Sequence, residues 1–541
     1  MPQPPASAPA RRSFPRRTRR IPTLAGRGTL TALAGTAVLA LAVTGCTSDG
    51  GAGRAEDDLA ASEALRPGFH YSPSEGNMAD PNGLLWSGEE FHLFHQQDGT
   101  WAHAVAPDLV HWEEQPTALE HDELGQALSG SAVMDPDNTS GLFPDTGRGM
   151  VAVYTNTEGG EAQSIAYSSD EGRSWERYDG NPVVANDGRT DFRDPKVFWH
   201  EQTAAWVMVV SAGSAVEILT SDDLIDWELR SEFGRDEGLH AAVWECPELF
   251  PLAVDGDPDD TRWVLAVSVG DNEETGGSTA QYFVGDFDGE TFHNGSAPDE
   301  VRITDMGQDF YAAQSFSGDP EDRRVWLAWV GNWRHPYGTP TEGWANHMSV
   351  PRELSLESDG DDVVLVQRPV AELDGLRGEA VTVEDIAIDG SVPLDVAGRS
   401  LEFEAEIELG DADAAGLSVF EGDAGGREQR FRIGADAAAG EFVLDRSHAG
   451  MDAVRGADGE ADPDPAPETR RSAAWEPVED GVLRVRGYID QSSVEVFVDD
   501  GRLSGTMLAY PDAGNDGISL YSEGGTARLV SLTVYPMDAI R

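Results

Sequence analysis

Three acidic residues have the types and settings for glycosidic chemistry. Asp80 lies in Met78-Ala79-Asp80-Pro81-Asn82-Gly83, Asp194 in Phe192-Arg193-Asp194-Pro195, and Glu245 in Trp244-Glu245-Cys246-Pro247. Two carboxyl groups facing one pocket can hydrolyse a glycosidic bond. One, ionised, attacks or activates water, and the other, protonated, delivers a proton to the leaving oxygen. Burial and neighbouring charge set these opposite protonation states. Arg193 is placed to keep Asp194 ionised, and Trp244 and Pro247 offer Glu245 an apolar setting that favours the protonated form. A third carboxylate can accept hydrogen bonds from two sugar hydroxyls. Aromatic rings are expected around a sugar, and Trp101, Tyr311, Trp333 and Trp344 are available.

Something must bring such distant residues together, and a repeat supplies it. Ala106-Pro-Asp-Leu-Val-His-Trp112-Glu recurs as Ser169-Asp-Glu-Gly-Arg-Ser-Trp175-Glu and as Ser221-Asp-Asp-Leu-Ile-Asp-Trp227-Glu, with a looser copy ending at Phe292. The aromatic anchors are 63, 52 and 65 residues apart. A second series interleaves with the first: Asp80, Gly130 in Leu128-Ser129-Gly130-Ser131, Asp194, Glu245 and Asp309, at steps of 50, 64, 51 and 64. Short β-branched and aromatic runs separate them, such as Met150 to Tyr154 and Trp206 to Val210, with no long helical period. One four-stranded sheet per unit makes a β-propeller. The Asp-to-Trp unit reads as a turn feeding a strand whose Trp packs between blades. The second series falls on the strands lining the axis, so its residues converge. Five blades are expected over residues 65–356.

Composition shifts after Pro351-Arg352-Glu353-Leu354, and residues 357–378 read as an extended linker. Residues 379–541 alternate again in Leu401 to Leu409 and Ser493 to Val498, which suggests an antiparallel β-sandwich. The Asp-, Glu- and Pro-rich run from Ala457 to Thr469 reads as a disordered surface loop. The whole is expected to be all-β.

The N-terminus reads as a targeting segment. Seven Arg and no acid precede an apolar stretch from Gly28 to Thr44, followed by Gly45-Cys46. Residues 1–45 have the form of a lipoprotein-type signal peptide, with Cys46 as the lipidated residue, and residues 46–64 that of a flexible tether. The chain would be exported and held at the membrane by lipid alone. Cys246 then has no disulfide partner. The 541 residues carry 98 acidic and 38 basic side chains, a formal charge of −60. Without residues 1–45 the count is 31 basic against 98 acidic, or −67. So negative a surface repels nucleic acid and anionic lipid. It points to a neutral substrate.

The ordered set of motifs resembles the β-fructofuranosidases of glycoside hydrolase family 32, which include invertases, exo-inulinases and levanases. It spans about Phe69 to Met537 and adds Phe91-His-Leu-Phe-His-Gln96, Trp101-Ala-His-Ala104, Asp309-Phe-Tyr-Ala-Ala313, Pro351-Arg-Glu-Leu354 and Asp490-Gln-Ser-Ser-Val-Glu-Val-Phe497. The resemblance implies release of fructose from levan, inulin or sucrose by a retaining double displacement. Asp80 matches the nucleophile, Glu245 the general acid/base and Asp194 the transition-state stabiliser. Gln96, Trp101, Ser129, Arg193, Tyr311 and Trp333 match positions of the fructose subsite. No cofactor or metal is implied, the partner is a neutral fructose-containing saccharide, and a monomer is expected. His103 and His111 read as structural hydrogen-bonding groups. Two positions depart from the family pattern: Ala79 replaces the usual Asn before the nucleophile, and Leu128 replaces an aromatic. Fructosyl transfer to a sugar acceptor, and a catalytically dead carbohydrate-binding lipoprotein, are the alternatives.

Overall fold

A computed structural model describes residues 59–360, 362–456, 466–479 and 481–541. The proposed signal peptide, Cys46 and most of the proposed tether lie outside these residues, as do residues 457–465 of the acidic loop. The last part of the expected tether does not behave as a spacer. Residues 59–63 form a helical turn, and Ser62 is buried and accepts Glu342 N–H at 2.7 Å.

The chain folds as a β-propeller followed by a β-sandwich. Three four-stranded antiparallel sheets come first, each built from consecutive strands. Their first strands are Pro81–Trp86, Ala127–Asp135 and Phe192–His200. The next strands join in one ten-stranded sheet, in which Val254 pairs with Leu356 at a single parallel bridge. Its inner strands are Trp244–Val254 and Tyr311–Ser315. Each inner strand packs on the next, and the last returns to the first. Nearby, Gly76–Asn77 pairs in parallel with Trp344–Ala345.

The sequence repeat has a local physical cause. In each copy an Asp side chain caps the turn between a sheet's third and fourth strands. Asp108 Oδ1 accepts His111 N–H at 2.9 Å, Asp170 Oδ1 accepts Ser174 N–H at 2.9 Å, and Asp223 Oδ1 accepts Asp226 N–H at 2.8 Å. The Trp indole then donates to the carbonyl three residues back: Trp112 to Leu109, Trp175 to Gly172, Trp227 to Leu224. Phe292 keeps the apolar contact without the indole, packing on Phe233, while Asp288 keeps the cap.

The inner strands share a second device. Each has a register break against its neighbour, between Asn82 and Leu85, Leu128 and Gly130, Arg193 and Lys196, Glu245 and Glu248, and Tyr311 and Gln314. A bulge re-aims the side chains beside it. At three of these breaks a non-glycine residue takes a left-handed conformation: Asp194 at φ 65°, Cys246 at 46° and Ala312 at 54°. Below the bulges the axis is closed by charge. Lys196, the sole lysine, lies 2.7 Å from Glu248 Oε1 and donates to Ser315 O at 2.8 Å, joining three inner strands.

The expected linker is a correction. Arg352–Asp359 pairs along its length with Asp362–Pro369, so this stretch is a hairpin of the propeller's last sheet. Leu365, Val366 and Gln367 are buried, whereas Val363, Val364 and Arg368 are partly exposed. A 3-10 turn at Ala371–Leu376 follows. The sandwich has two six-stranded antiparallel sheets, and its core contains Phe403, Ile407, Leu417, Phe431, Leu444 and Leu532. It docks on the propeller through buried charges. Arg352 donates to Asp305 Oδ2 at 2.9 Å and to Glu495 Oε2 at 2.5 Å. His70 lies between Asp490 at 2.8 Å and Glu495 at 2.9 Å.

Candidate active site

The ends of the inner strands surround a cavity of about 610 Å³. Its walls include Ala79, Asp80, Gln96, Leu128, Ser129, Arg193, Asp194, Glu245 and Trp333. The three carboxylates therefore meet, although 114 residues separate Asp80 from Asp194 and 51 separate Asp194 from Glu245.

Cys246 ties them together. Its backbone N–H donates to Asp194 Oδ2 at 3.1 Å, and its thiol lies 3.7 Å from Asp80 Oδ2. Cys246 takes a left-handed conformation, and Glu245, one residue earlier, lines the cavity. Asp80 Oδ2 also accepts the Ser129 hydroxyl at 2.7 Å, and Asp80 Oδ1 has no partner. That free, buried oxygen suits a nucleophile.

Burial and then the charge of Glu245 raise the Asp80 carboxyl to about 6, although the Ser129 bond opposes them. For Asp194 the same two causes, with Arg193 opposing, raise it to about 8. Three carboxylates in one cavity do not all ionise easily, so the cluster retains a proton near neutral pH. Burial and the surrounding carboxylates push the Cys246 thiol up, which keeps it neutral.

The arginine was expected to serve Asp194. Among the three carboxylates its hydrogen bonds go to Glu245, and it acts on Asp194 through charge alone. Arg193 Nε and Nη2 donate to Glu245 Oε1 at 3.0 and 2.8 Å, whereas Asp194 Oδ2 is 4.0 Å from Nε. The bulge after Arg193 turns the two neighbours apart. Arg193 Nη1 is held from behind by Glu161 and Asp191, each at 3.0 Å. The apolar setting expected of Glu245 is also absent. Its Oε2 accepts the Tyr311 hydroxyl, and Trp244 faces away, donating to Leu239 O at 2.7 Å within an apolar cluster.

The remaining expected positions divide. Gln96 and Ser129 line the cavity, and Gln96 Nε2 donates to Ala127 O at 3.0 Å, bracing the second inner strand. Trp333 lines it and packs edge-on against Trp329 and Tyr311. Tyr311 stands behind Glu245. Trp101 is fully buried outside the cavity, and its indole donates to Leu128 O at 2.9 Å. Trp344 is covered by Arg66, 4.4 Å from its ring centre. His103 bonds His92 at 3.0 Å and His111 bonds Asp108 at 2.8 Å, both away from the cavity. Glu161, Asp98, Gln126 and Tyr337 also line the cavity and were not anticipated. Glu161 follows Gly159-Gly160 in the loop between its sheet's second and third strands, outside both repeated motifs, so those motifs offered no signal. Among the described residues no cluster of His, Cys, Asp and Glu has the geometry of a metal site.

Two family models match the chain: the glycosyl hydrolases family 32 N-terminal domain over residues 70–369, and the glycosyl hydrolases family 32 C terminal over residues 372–536. A levanase of Bacillus subtilis is 43% identical over 495 residues, covering 88% of this chain and 71% of the levanase. An extracellular exo-inulinase of Aspergillus awamori is 33% identical over 527 residues, covering 87% and 94%. Among solved structures, the Aspergillus awamori exo-inulinase superposes with a TM-score of 0.79 at 32% identity, covering 88% of this chain and 99% of that one. A Schwanniomyces occidentalis fructofuranosidase complexed with fructose gives 0.77 at 28% identity, with 88% and 99% covered.

Proposed function

The chain belongs to glycosyl hydrolase family 32 and is a glycoside hydrolase acting on β-fructosides, and from that premise we propose that it releases fructose by a retaining double displacement at Asp80, Asp194 and Glu245. The observation that carries this reading is the meeting of three carboxylates in one cavity, linked through Cys246.

In the first step the free Asp80 oxygen forms a bond to the anomeric carbon of a fructosyl unit. The bond from that carbon to the leaving oxygen breaks, and Glu245 gives that oxygen its proton. In the second step Glu245 takes a proton from water, the water oxygen bonds to the anomeric carbon, and the Asp80 ester breaks. Asp194 accepts hydrogen bonds from the fructosyl hydroxyls, with its carboxylate oriented by Cys246 N–H. In the step in which Glu245 carries the proton it donates, Arg193 is still satisfied by Glu161 and Asp191. These acids hold the guanidinium in place as Glu245 changes charge, a preorganised arrangement. Five inner strands, which we read as one per blade, support this convergence.

Levan, inulin and sucrose are the proposed substrates, because the relatives include a levanase, exo-inulinases and invertases. Ala79 and Leu128 border the cavity with apolar surface where the family pattern carries polar and aromatic groups. The proposed enzyme is exported, as the extracellular exo-inulinase is, and works as a monomer held to the membrane by lipid on Cys46. Among the described residues no helix is long and apolar enough to cross a membrane. Incubation with sucrose, inulin and levan, followed by product separation, tests the reading. Free fructose supports hydrolysis, longer oligosaccharides support transfer, and no product from any of the three overturns the proposal.

A further inference from the structure

The sandwich reaches the back of the catalytic cavity through one buried cation. Arg446, in the sandwich strand Glu441–His448, is fully buried. Its Nη1 donates to Asp309 Oδ2 of the propeller and to Leu508 O at 2.9 Å. Its Nε donates to Glu468 O at 2.9 Å. Asp309 is fully buried too, and the same oxygen accepts Leu508 N–H at 2.7 Å. Asp309 N–H donates to Thr506 O at 3.1 Å, and Met306 N–H to Ser504 O at 2.8 Å. The segment leading into the last inner strand is thus fastened to the sandwich strand Leu503–Leu508. Two residues beyond Asp309 is Tyr311, whose hydroxyl donates to Glu245. His335, in the loop that carries Trp333 and Tyr337, lies 3.8 Å from the other Asp309 oxygen. Asp309 therefore stands behind two walls of the cavity.

We propose that Arg446 is a positioning residue for the reaction: through Asp309 it holds the strand that aims the Tyr311 hydroxyl at Glu245, so the sandwich forms part of the acid/base apparatus. The proposal rests on the reading of Glu245 as the acid/base. Without Arg446, Asp309 is a buried carboxylate with no cation, and the strand must shift to hydrate it. A small displacement at a reacting group costs rate without weakening ground-state binding. A contact that merely docks two domains would change melting and leave turnover intact. The same interface supplies that comparison at His70, which bonds Asp490 and Glu495 and does not line the cavity.

The test uses the full chain and its Arg446→Met, Arg446→Lys, Asp309→Asn, His70→Gln and Glu245→Gln variants. Turnover and KM on sucrose are measured below every melting temperature, with folding checked by near-UV circular dichroism. Arg446→Met is expected to lower kcat by about tenfold or more with KM within about twofold, and Arg446→Lys to recover much of the loss. His70→Gln is expected to lower Tm and leave kcat unchanged. Should Arg446→Met not fold, Asp309→Asn carries the test, with the same loss of kcat expected. A folded Arg446→Met or Asp309→Asn with unchanged kcat overturns the proposal, as does an equal loss of kcat in His70→Gln. If Glu245→Gln keeps full activity, the acid/base reading fails first. If Glu245→Gln is inactive while Arg446→Met is not impaired, only the positioning role fails.

Discussion

Replacing Ser129 by Ala removes one oxygen and, with it, the strongest contact of the proposed nucleophile. Ser129 is buried, and its hydroxyl donates to Asp80 Oδ2 at 2.7 Å. The other side-chain donor to Asp80 is the Cys246 thiol at 3.7 Å, a weak one. A hydrogen bond to a buried charge contributes about 1.5–3 kcal/mol. At about 1.4 kcal/mol per pH unit, its loss moves the ionisation of Asp80 upward by about one to two pH units. Asp80 must be ionised to attack, so the acid limb of the kcat/KM profile moves upward by that amount, while the plateau changes little. That limb belongs to the whole carboxyl cluster, since burial and repulsion couple its members. The assay is initial fructose release at limiting substrate, between about pH 4 and 9, for wild type and Ser129→Ala. On the acid side, the variant is expected to be about 10- to 100-fold slower. An acid limb that stays in place, or moves downward, refutes the assignment of Ser129 as the group that holds the charge on Asp80.

Other expectations follow from the same contacts. Glu245→Ala is expected to lose about two to four orders of magnitude on sucrose and far less on an activated fructoside, whose leaving group needs no proton; equal losses on both contradict its role as acid. His70 gives a pH-dependent dock. Burial would lower its ionisation, but bonds to Asp490 and Glu495 outweigh burial and raise it to about 9. Its contribution is therefore complete below about pH 6.5 and lost as pH rises toward 9, a difference of about 3 kcal/mol. Chemical denaturation between those pH values checks it, and His70→Gln should flatten that dependence. Lys196→Met leaves the fully buried Glu248 without its cation, at a cost of about 3–5 kcal/mol, which thermal melting should register as a clear fall in Tm; an unchanged Tm counts against the axial ion pair.

What could be read from the sequence was what local chemistry determines. The turn carrying Asp108 and Trp112 is closed by contacts within four residues, so its pattern survives in each copy. The three carboxylates were legible because each lies near the start of an inner strand, although not at one register position: Glu245 is the last residue before its break, Asp194 lies within its break, and Asp80 is two residues before Asn82. The partner of Arg193 was not. Adjacency to Asp194 suggested one pairing, and the bulge that follows rotates the guanidinium onto Glu245, 52 residues away. Trp101 stands behind the cavity wall, its indole on Leu128 O, and the alternation around it does not say that its buried face meets a neighbouring strand before the cavity. The hairpin ending at Pro369 passed for a linker because Gln367 and Arg368 interrupt its apolar run. Gln367 finds its side-chain partners inside the propeller, in Arg352 and Thr304, and Arg368 reaches across the interface to Asp500. The buried charges of the dock resemble surface residues until both domains are in place.

The central claim is that Asp80 forms a covalent fructosyl ester that a second displacement resolves. Methanol offered as acceptor in place of water tests it most directly, because the methyl fructoside formed keeps its anomeric configuration for analysis by NMR. Two displacements at one carbon predict the β-anomer from a β-linked substrate, and no fructoside at all from Asp80→Ala. The α-anomer would mean a single displacement and would contradict the account.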